Sequence, residues 1–272
     1  TQAKTLFPYT TLFRSTIPHA GEKIPDQTAF LRHLPEEILM GDVDRYVDQL
    51  YAPALAQFQW PHVQTEWHRY AVDLNRWPTD TDADSLEGSK NLSGSFPRGF
   101  HWTMTTHRER LLPKPLTQEQ HVELVALIFD PFHAAVKKMA SDLLATHTNI
   151  LHLDLHSMPS LGTAEHRDPG ESRADIVVSD SHGKSCSQPF RDLVILSYVT
   201  AGFKVGYNWP YYGGRITEQY GRPTQGHHCI QVELNRKLYM DERTKAKGFG
   251  FLKTQEKLTV ALSQIVAGVP KI

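Results

Sequence analysis

The stretch Asn149–Ser160, NILHLDLHSMPS, limits the possible folds of this chain most. Ile150, Leu151, Leu153 and Leu155 give Asn149–Leu155 the composition of a mostly buried β-strand, and the run stops at His156, Ser157 and a turn around Pro159. Just upstream, Thr117–Thr146 repeats apolar residues at three- and four-residue spacing, among them Val125, Ile128, Phe132, Val136 and Leu143, which predicts the longest helix of the chain. Thr117 and Gln120 have capping-box spacing, and Pro131 is expected to kink the segment. A helix feeding a buried strand is an αβ unit. The expected class is therefore α/β, with a mixed, largely parallel central sheet flanked by helices. Ligands of such sheets bind beyond the carboxyl ends of the strands, and His156 stands at one of those ends.

Composition narrows the partners. The 29 Lys and Arg residues and 30 Asp and Glu residues leave a formal charge of -1, which argues against nucleic acid or an anionic membrane surface as the partner. No apolar run is long enough to span a bilayer and no signal peptide is evident, so a cytoplasmic protein is expected. Cys186 and Cys229 are too few for a disulfide framework, which fits a reducing compartment. Fifteen histidines raise the weight of metal binding or proton transfer.

The first fifteen residues lack the patterning of the rest. FPYTTLFRS resembles the translated read-through of a sequencing adapter, so Thr1–Ser15 is set apart as a foreign or disordered leader and residues 16–272 are expected to form one α/β domain. Within that domain, STIPHAGEKIP places His19 at a strand end and Glu22 in H-x-x-E spacing with it. That spacing can bring an imidazole nitrogen and a carboxylate oxygen to one zinc ion. GDVDRYVDQLY reads as a helix start, where Asp42 or Asp44 can cap, and where Asp44 can equally be aimed across a cleft as a metal ligand. Glu22 and Asp44 thus compete for one role.

WHRYAVDLNRWP, residues 67–78, reads as a strand ending at Asn75 and Arg76. The arginine fork suits a carboxylate, either that of a ligand or that of neighbouring Asp73. Thr79–Gly99 and Leu161–Ser172 read as irregular loops, Arg173–Gly183 and Phe203–Asn208 as strands, and Pro189–Ala201 and Lys253–Val266 as helices. Trp209–Gly214, with its PYYGG run, must pass backbone close to something, as a loop gripping a small substrate would. GHHCIQVELNR alternates Ile230, Val232 and Leu234 with Gln231, Glu233 and Asn235. A mid-strand Glu233 marks either a cleft or the wet face of an edge strand.

Together PHAGEKIP, DVDRYVDQLY, RYAVDLNR, DLHSMPS, RADIVVSDSHG, YNWPYYGG and GHHCIQVELNR, in order from about residue 16 onward, resemble the N-formylglutamate amidohydrolase family. That family is similar in fold to the zinc carboxypeptidases, a phosphorylase/hydrolase-like architecture, and to the succinylglutamate desuccinylases. The resemblance implies zinc-dependent hydrolysis of N-formyl-L-glutamate to formate and L-glutamate in histidine degradation. It makes His19 and His156 ligands of one Zn2+ ion and Glu233 the catalytic residue. No fixed carboxylate is expected in the family at Glu22, which shifts the third-ligand expectation toward Asp44. Arg76 with Asn75, and Arg69 or Arg173, are candidates for the substrate carboxylates, Asn208, Tyr212 and His228 are further substrate-binding candidates, and Asp154 is a candidate to orient a ligand histidine. The expected partner is a small N-formyl amino acid, with oligomeric state left open. A hydrolase of another N-acyl amino acid and a non-catalytic small-molecule-binding relative are the alternatives on this scaffold, and the presence of Glu233 speaks against the second.

Overall fold

A computed structural model describes residues 12–269. Its centre is a six-stranded sheet in the order β2-β1-β3-β6-β4-β5, built from β1 (Phe13–Ile17), β2 (His62–Gln64), β3 (Ile150–Met158), β4 (Ile176–Ser179), β5 (Val205–Tyr207) and β6 (His227–Asn235). Every neighbouring pair is parallel except β4 with β6, so the mixed, largely parallel sheet expected from the αβ unit is what forms. Helices α1 (Glu36–Leu39), α2 (Val47–Gln57), α3 (Gln118–Leu124), α4 (Asp130–Leu144), α5 (Gln188–Thr200), α6 (Arg215–Tyr220) and α7 (Phe251–Gly268) flank it. Among the described residues no helix is long and apolar enough to cross a membrane.

Alternation along the strands divides the sheet into two unlike faces. Leu151, Leu153 and Leu155 of β3, Ile230, Val232 and Leu234 of β6, and Phe13 and Ile17 of β1 form one apolar cluster with Val47 and Leu50 of α2, Phe190 and Val194 of α5, and Leu258 and Leu262 of α7. The intervening residues, Arg14 and Thr16, His152, Asp154 and His156, and Gln231 and Glu233, turn to the opposite face and are also buried. A second apolar cluster, with Phe132 and Val136 of α4 and with Tyr70, Val72 and Leu74, covers part of that face. Polar groups trapped between two apolar layers must find partners inside the protein, because each unpaired one costs roughly 1–3 kcal/mol.

Three local expectations change. The segment from Thr117 is helical and its capping box forms, but in place of one helix kinked at Pro131 a π-helical turn, Val125–Phe129, separates α3 from α4. Pro131 follows this turn directly, and the widened π turn is where the run accommodates the N–H that proline lacks. Residues 67–78 form turns and not a strand, with the Ala71 N–H donating to the His68 carbonyl and the Arg76 N–H to that of Asp73. Tyr70, Val72 and Leu74 are buried all the same, so the alternation belongs to a packed coil. Finally, Phe13, Arg14 and Ser15, grouped above with the leader, are part of β1, while residues 1–11 lie outside the described residues.

Arg14 is unusual. It is fully buried against His152, His227 and the Val136 carbonyl, without a carboxylate partner among the described residues, and burial lowers its pKa to about 10.

Phe13 carries the weight of β1 on the apolar face, with its ring centroid 4.3 Å from that of Trp60. Phe13→Ala should lower stability by about 3–5 kcal/mol, read as a shift of the urea midpoint, while Leu92→Ala at a site that is 81% exposed should change it by under about 0.5 kcal/mol. Equal, small effects of the two substitutions would show that β1 adds little to the fold.

Candidate metal centre

The parallel neighbours β1 and β3 end on the same edge of the sheet. His19 follows β1 by two residues and His156 lies near the end of β3, so both imidazoles reach that edge. Asp44 arrives from the turn before α2, tied in place by its backbone N–H, which donates to the His19 carbonyl at 3.0 Å. The Nδ1 atoms of His19 and His156 are 3.1 Å apart, and Asp44 Oδ2 lies 3.4 Å from the first and 3.1 Å from the second. All three residues are buried. Donors bound to one zinc ion at about 2.0–2.1 Å in a tetrahedral arrangement lie about 3.3 Å from one another. Two imidazoles and a carboxylate at these separations fit one divalent ion.

Each imidazole is fixed from behind by its own carboxylate. His19 Nε2 donates to Asp73 Oδ1 at 2.8 Å and His156 Nε2 to Asp154 Oδ2 at 2.8 Å, which turns the two Nδ1 atoms toward each other and Asp44. Asp73 accepts in addition from the Asn75 N–H, from Arg69 and from the Trp102 indole, and Asp154 accepts from the Thr16 hydroxyl at 2.6 Å. Asp44 Oδ1 accepts from Ser157 at 3.1 Å and from Arg236 at 3.2 Å, so Oδ2 is the oxygen turned to the imidazoles. Asp44 does not cap α2. The N-cap is Tyr46, held at φ 70°, and no side chain caps that end.

Electrostatics favour positive charge here. Burial by itself would raise the Asp44 carboxyl, but hydrogen bonds and attraction from His156 and His19 hold it well below the usual carboxylate range. Burial opposes charge on His156 as well, yet Asp154, Asp44 and Glu233 outweigh it and push the imidazole well above its ordinary value. Four carboxylates, those of Asp44, Asp73, Asp154 and Glu233, converge on two imidazoles. Such a setting stabilises an added cation.

Glu233 lies opposite His156 in the parallel register of β3 and β6, and residues paired in this way project from the same face. β6 is therefore a central strand, and Glu233 opens on a cleft and not on solvent. Gln231 donates to its Oε1 at 2.8 Å. Burial pushes the Glu233 carboxyl up, His156 pulls it down and Asp44 adds to the rise, with a net increase. The cavity in front has a volume of about 280 Å³, and its walls include His19, Asp44, His156, Glu233, Asn75, Arg69, Arg76, Arg98, Arg167 and Arg236. That space suits an amino-acid-sized ligand.

Among the expected substrate residues, Asn75, Arg76 and Arg69 line this cavity, although Arg69 is already paired with Asp73 at 2.9 Å. The glycines of the PYYGG run answer to a close approach, since a Cβ on Gly214 would collide with the Asn75 amide. Other candidates are placed elsewhere. Glu22 is exposed and pairs with Arg45 at 2.8 Å, so Asp44 and not Glu22 joins the two imidazoles. Arg173 grips Asp168 through two 2.7 Å bonds and pins the 159–172 loop. Asn208 bonds Asp180, Tyr212 stacks on His182 outside the cavity, and His228 sits near the far end of β6, accepting from the Ser187 N–H. Sequence pattern does not single out Asp73 as the partner of His19, nor Ser157, Gln231, Arg236 and Arg167 as lining the cavity. For Gln231 the two-residue spacing from Glu233 was a usable signal.

Residues 15–240 match the family model described as N-formylglutamate amidohydrolase. Two proteins named N-formylglutamate deformylase, from Pseudomonas aeruginosa and Pseudomonas putida, are each 28% identical to the chain, over 230 and 229 residues. Both alignments cover 84% of this chain, and they cover 82% and 81% of the relatives. The crystal structure of an N-formylglutamate amidohydrolase from Ralstonia eutropha JMP134 superposes with a TM-score of 0.85 at 27% identity, covering 96% of this chain and 94% of that one. A gene product from Agrobacterium tumefaciens, with a TM-score of 0.69 and 16% identity over 95% of this chain and 92% of that one, shares the fold. With the family match running from within β1 through both imidazoles, Asp44 and β6, the chain belongs to the N-formylglutamate amidohydrolase family.

Proposed function

We propose that this protein hydrolyses the formyl amide of N-formyl-L-glutamate, releasing formate and L-glutamate, with one zinc ion held by His19, Asp44 and His156. The observation that carries the reading is the buried convergence of these three donors, each imidazole oriented by its own carboxylate, beside Glu233 in a chain of this family. The two Pseudomonas relatives are named for this reaction. Its place would be a cytoplasmic route of histidine degradation.

When bound, a divalent ion supplies Lewis acidity toward the formyl oxygen and acidifies water. The chain's own groups do the rest. Glu233, with Oε1 held by Gln231, takes a proton from the attacking water as the new carbon–oxygen bond forms. When the carbon–nitrogen bond breaks, Glu233 passes that proton to the departing amine. The water hydroxyl ends in formate. Arg76 is aimed by bonds from its Nε to the Arg98 carbonyl at 3.0 Å and from Nη1 to the Asn75 carbonyl at 3.1 Å, and it binds the carboxylate beside the scissile amide.

The ligand set is tested by metal content. His19→Ala and His156→Ala should each lose bound zinc together with activity, and Asp73→Asn or Asp154→Asn should weaken zinc affinity by about 10–100-fold through the loosened imidazole. Glu22→Gln should retain stoichiometric zinc. Full zinc content in His19→Ala or His156→Ala would remove that residue from the site.

Kinetics separates the base from the substrate anchor. Glu233→Gln should lower kcat by about 10²–10⁴-fold with zinc content unchanged, since an amide cannot accept the proton. Arg76→Ala should act mainly on KM, because the carboxylate it binds carries the same charge in ground and transition states. A near-normal kcat in Glu233→Gln would exclude it as the base, and an unchanged KM in Arg76→Ala would take Arg76 out of the substrate site.

A further inference from the structure

Five arginines line the cavity, and the protein neutralises three of them. Arg69 pairs with Asp73 at 2.9 Å, Arg98 with Glu165 at 2.9 Å and Arg236 with Asp44 at 3.2 Å. Arg76 and Arg167 have no carboxylate within 4.0 Å among the described residues. The Arg167 guanidinium lies instead over the rings of Trp209 and Tyr212, 5.1 and 5.2 Å from their centroids, with Nη1 donating to the Pro210 carbonyl at 3.4 Å. Stacking fixes the plane of a guanidinium and leaves its in-plane N–H donors available. The backbone around it is pinned on both sides, by Glu165 bonded to Arg98 and Arg108 and by Asp168 bonded to Arg173. Arg167 is thus an exposed cation at the cavity, laid over two rings and without a counter-ion among the described residues.

We infer that Arg167 is a specificity-determining residue, which binds the side-chain carboxylate of an acidic N-acyl amino acid while Arg76 holds the α-carboxylate. The inference rests on the hydrolytic reading above and names the residue that sets its preference for an acidic side chain. Two unpaired cations match two carboxylates. Their assignment follows from position: Arg76 is half-buried and three residues from Asp73, which holds His19, whereas Arg167, on the 159–172 loop, is exposed. In the substrate the α-carboxylate sits on the carbon that bears the scissile nitrogen, and the side-chain carboxylate lies farther out. A neutral side chain would leave the Arg167 donors to water alone.

The test compares N-formylglutamate with N-formylglutamine on the zinc-loaded full chain. The unaltered protein should prefer the acid by about 10–100-fold in kcat/KM, mostly through KM, as expected for one charge-assisted hydrogen-bonded pair. Arg167→Gln should abolish most of that preference and Arg167→Lys should keep part of it. A preference unchanged in Arg167→Gln, or a proportional loss on both substrates, overturns the inference. Failure of the hydrolytic reading is distinguishable, since the unaltered protein would then cleave neither compound. In that event calorimetric titration with glutamate and glutamine decides: tighter glutamate binding that Arg167→Gln removes supports the assignment, and equal or absent binding overturns it.

Discussion

The register between β3 and β6 is the constraint on which the site depends. Their parallel pairing sets His156 opposite Glu233 and Asp154 opposite Gln231, while Leu153 and Leu155 meet Ile230 and Val232 on the other face. A slip of one residue would carry every side chain of a strand to the opposite face. It would drive His156 and Asp154 into the apolar cluster beneath α2, α5 and α7 and lift leucines into the cavity. The hydrophobic face therefore enforces the polar one, and packing energy far from the site holds His156 and Glu233 side by side.

Buried charge is tolerable here because no member of the network stands alone. Removing one partner of a buried ion pair typically costs about 3–5 kcal/mol, since the other is left uncompensated. Asp44 shows how fully the partners are provided: one oxygen is occupied by Ser157 and Arg236, the other by two imidazoles. Arg236 also donates to the Gly41 and Asp42 carbonyls, so the turn that delivers Asp44 and the strand end that delivers Ser157 are bound into one unit. Helix α2 begins at a left-handed Tyr46 without a side-chain cap, which frees Asp44 for this use.

Much of this was legible before any coordinates. Asn149–Leu155 and residues 226–236 read as strands from their composition, the second left open between a cleft-facing and an edge strand, and His19, His156 and Glu233 were singled out as polar residues at or within such strands, which is where local pattern is strongest. What local pattern could not carry was anything decided by distant packing. Residues 67–78 alternate like a strand yet coil, because Asp73 must accept from four groups drawn from three parts of the chain. Glu22 has the better local spacing to His19, but Arg45 draws it to the surface, whereas Asp44 is joined to His19 by a backbone bond that no spacing rule anticipates. Asn208 and His228 looked like site residues by proximity in sequence to loops and strands that do reach the cavity, but each faces another partner.

The two imidazoles are separated by 137 positions in the chain, and Asp44 and His156 by 112. No hairpin or single αβ unit contains all three donors, so a partly assembled chain offers an ion at most the His19 and Asp44 pair without His156. An ion at this place would bind the completed topology and almost nothing short of it. Its affinity would then appear in full as global stability, by the mass-action gain that a ligand of the native state alone confers. In that sense the site would work as a clasp across the whole weave of the chain, closing only once the strands that meet there have been laid side by side.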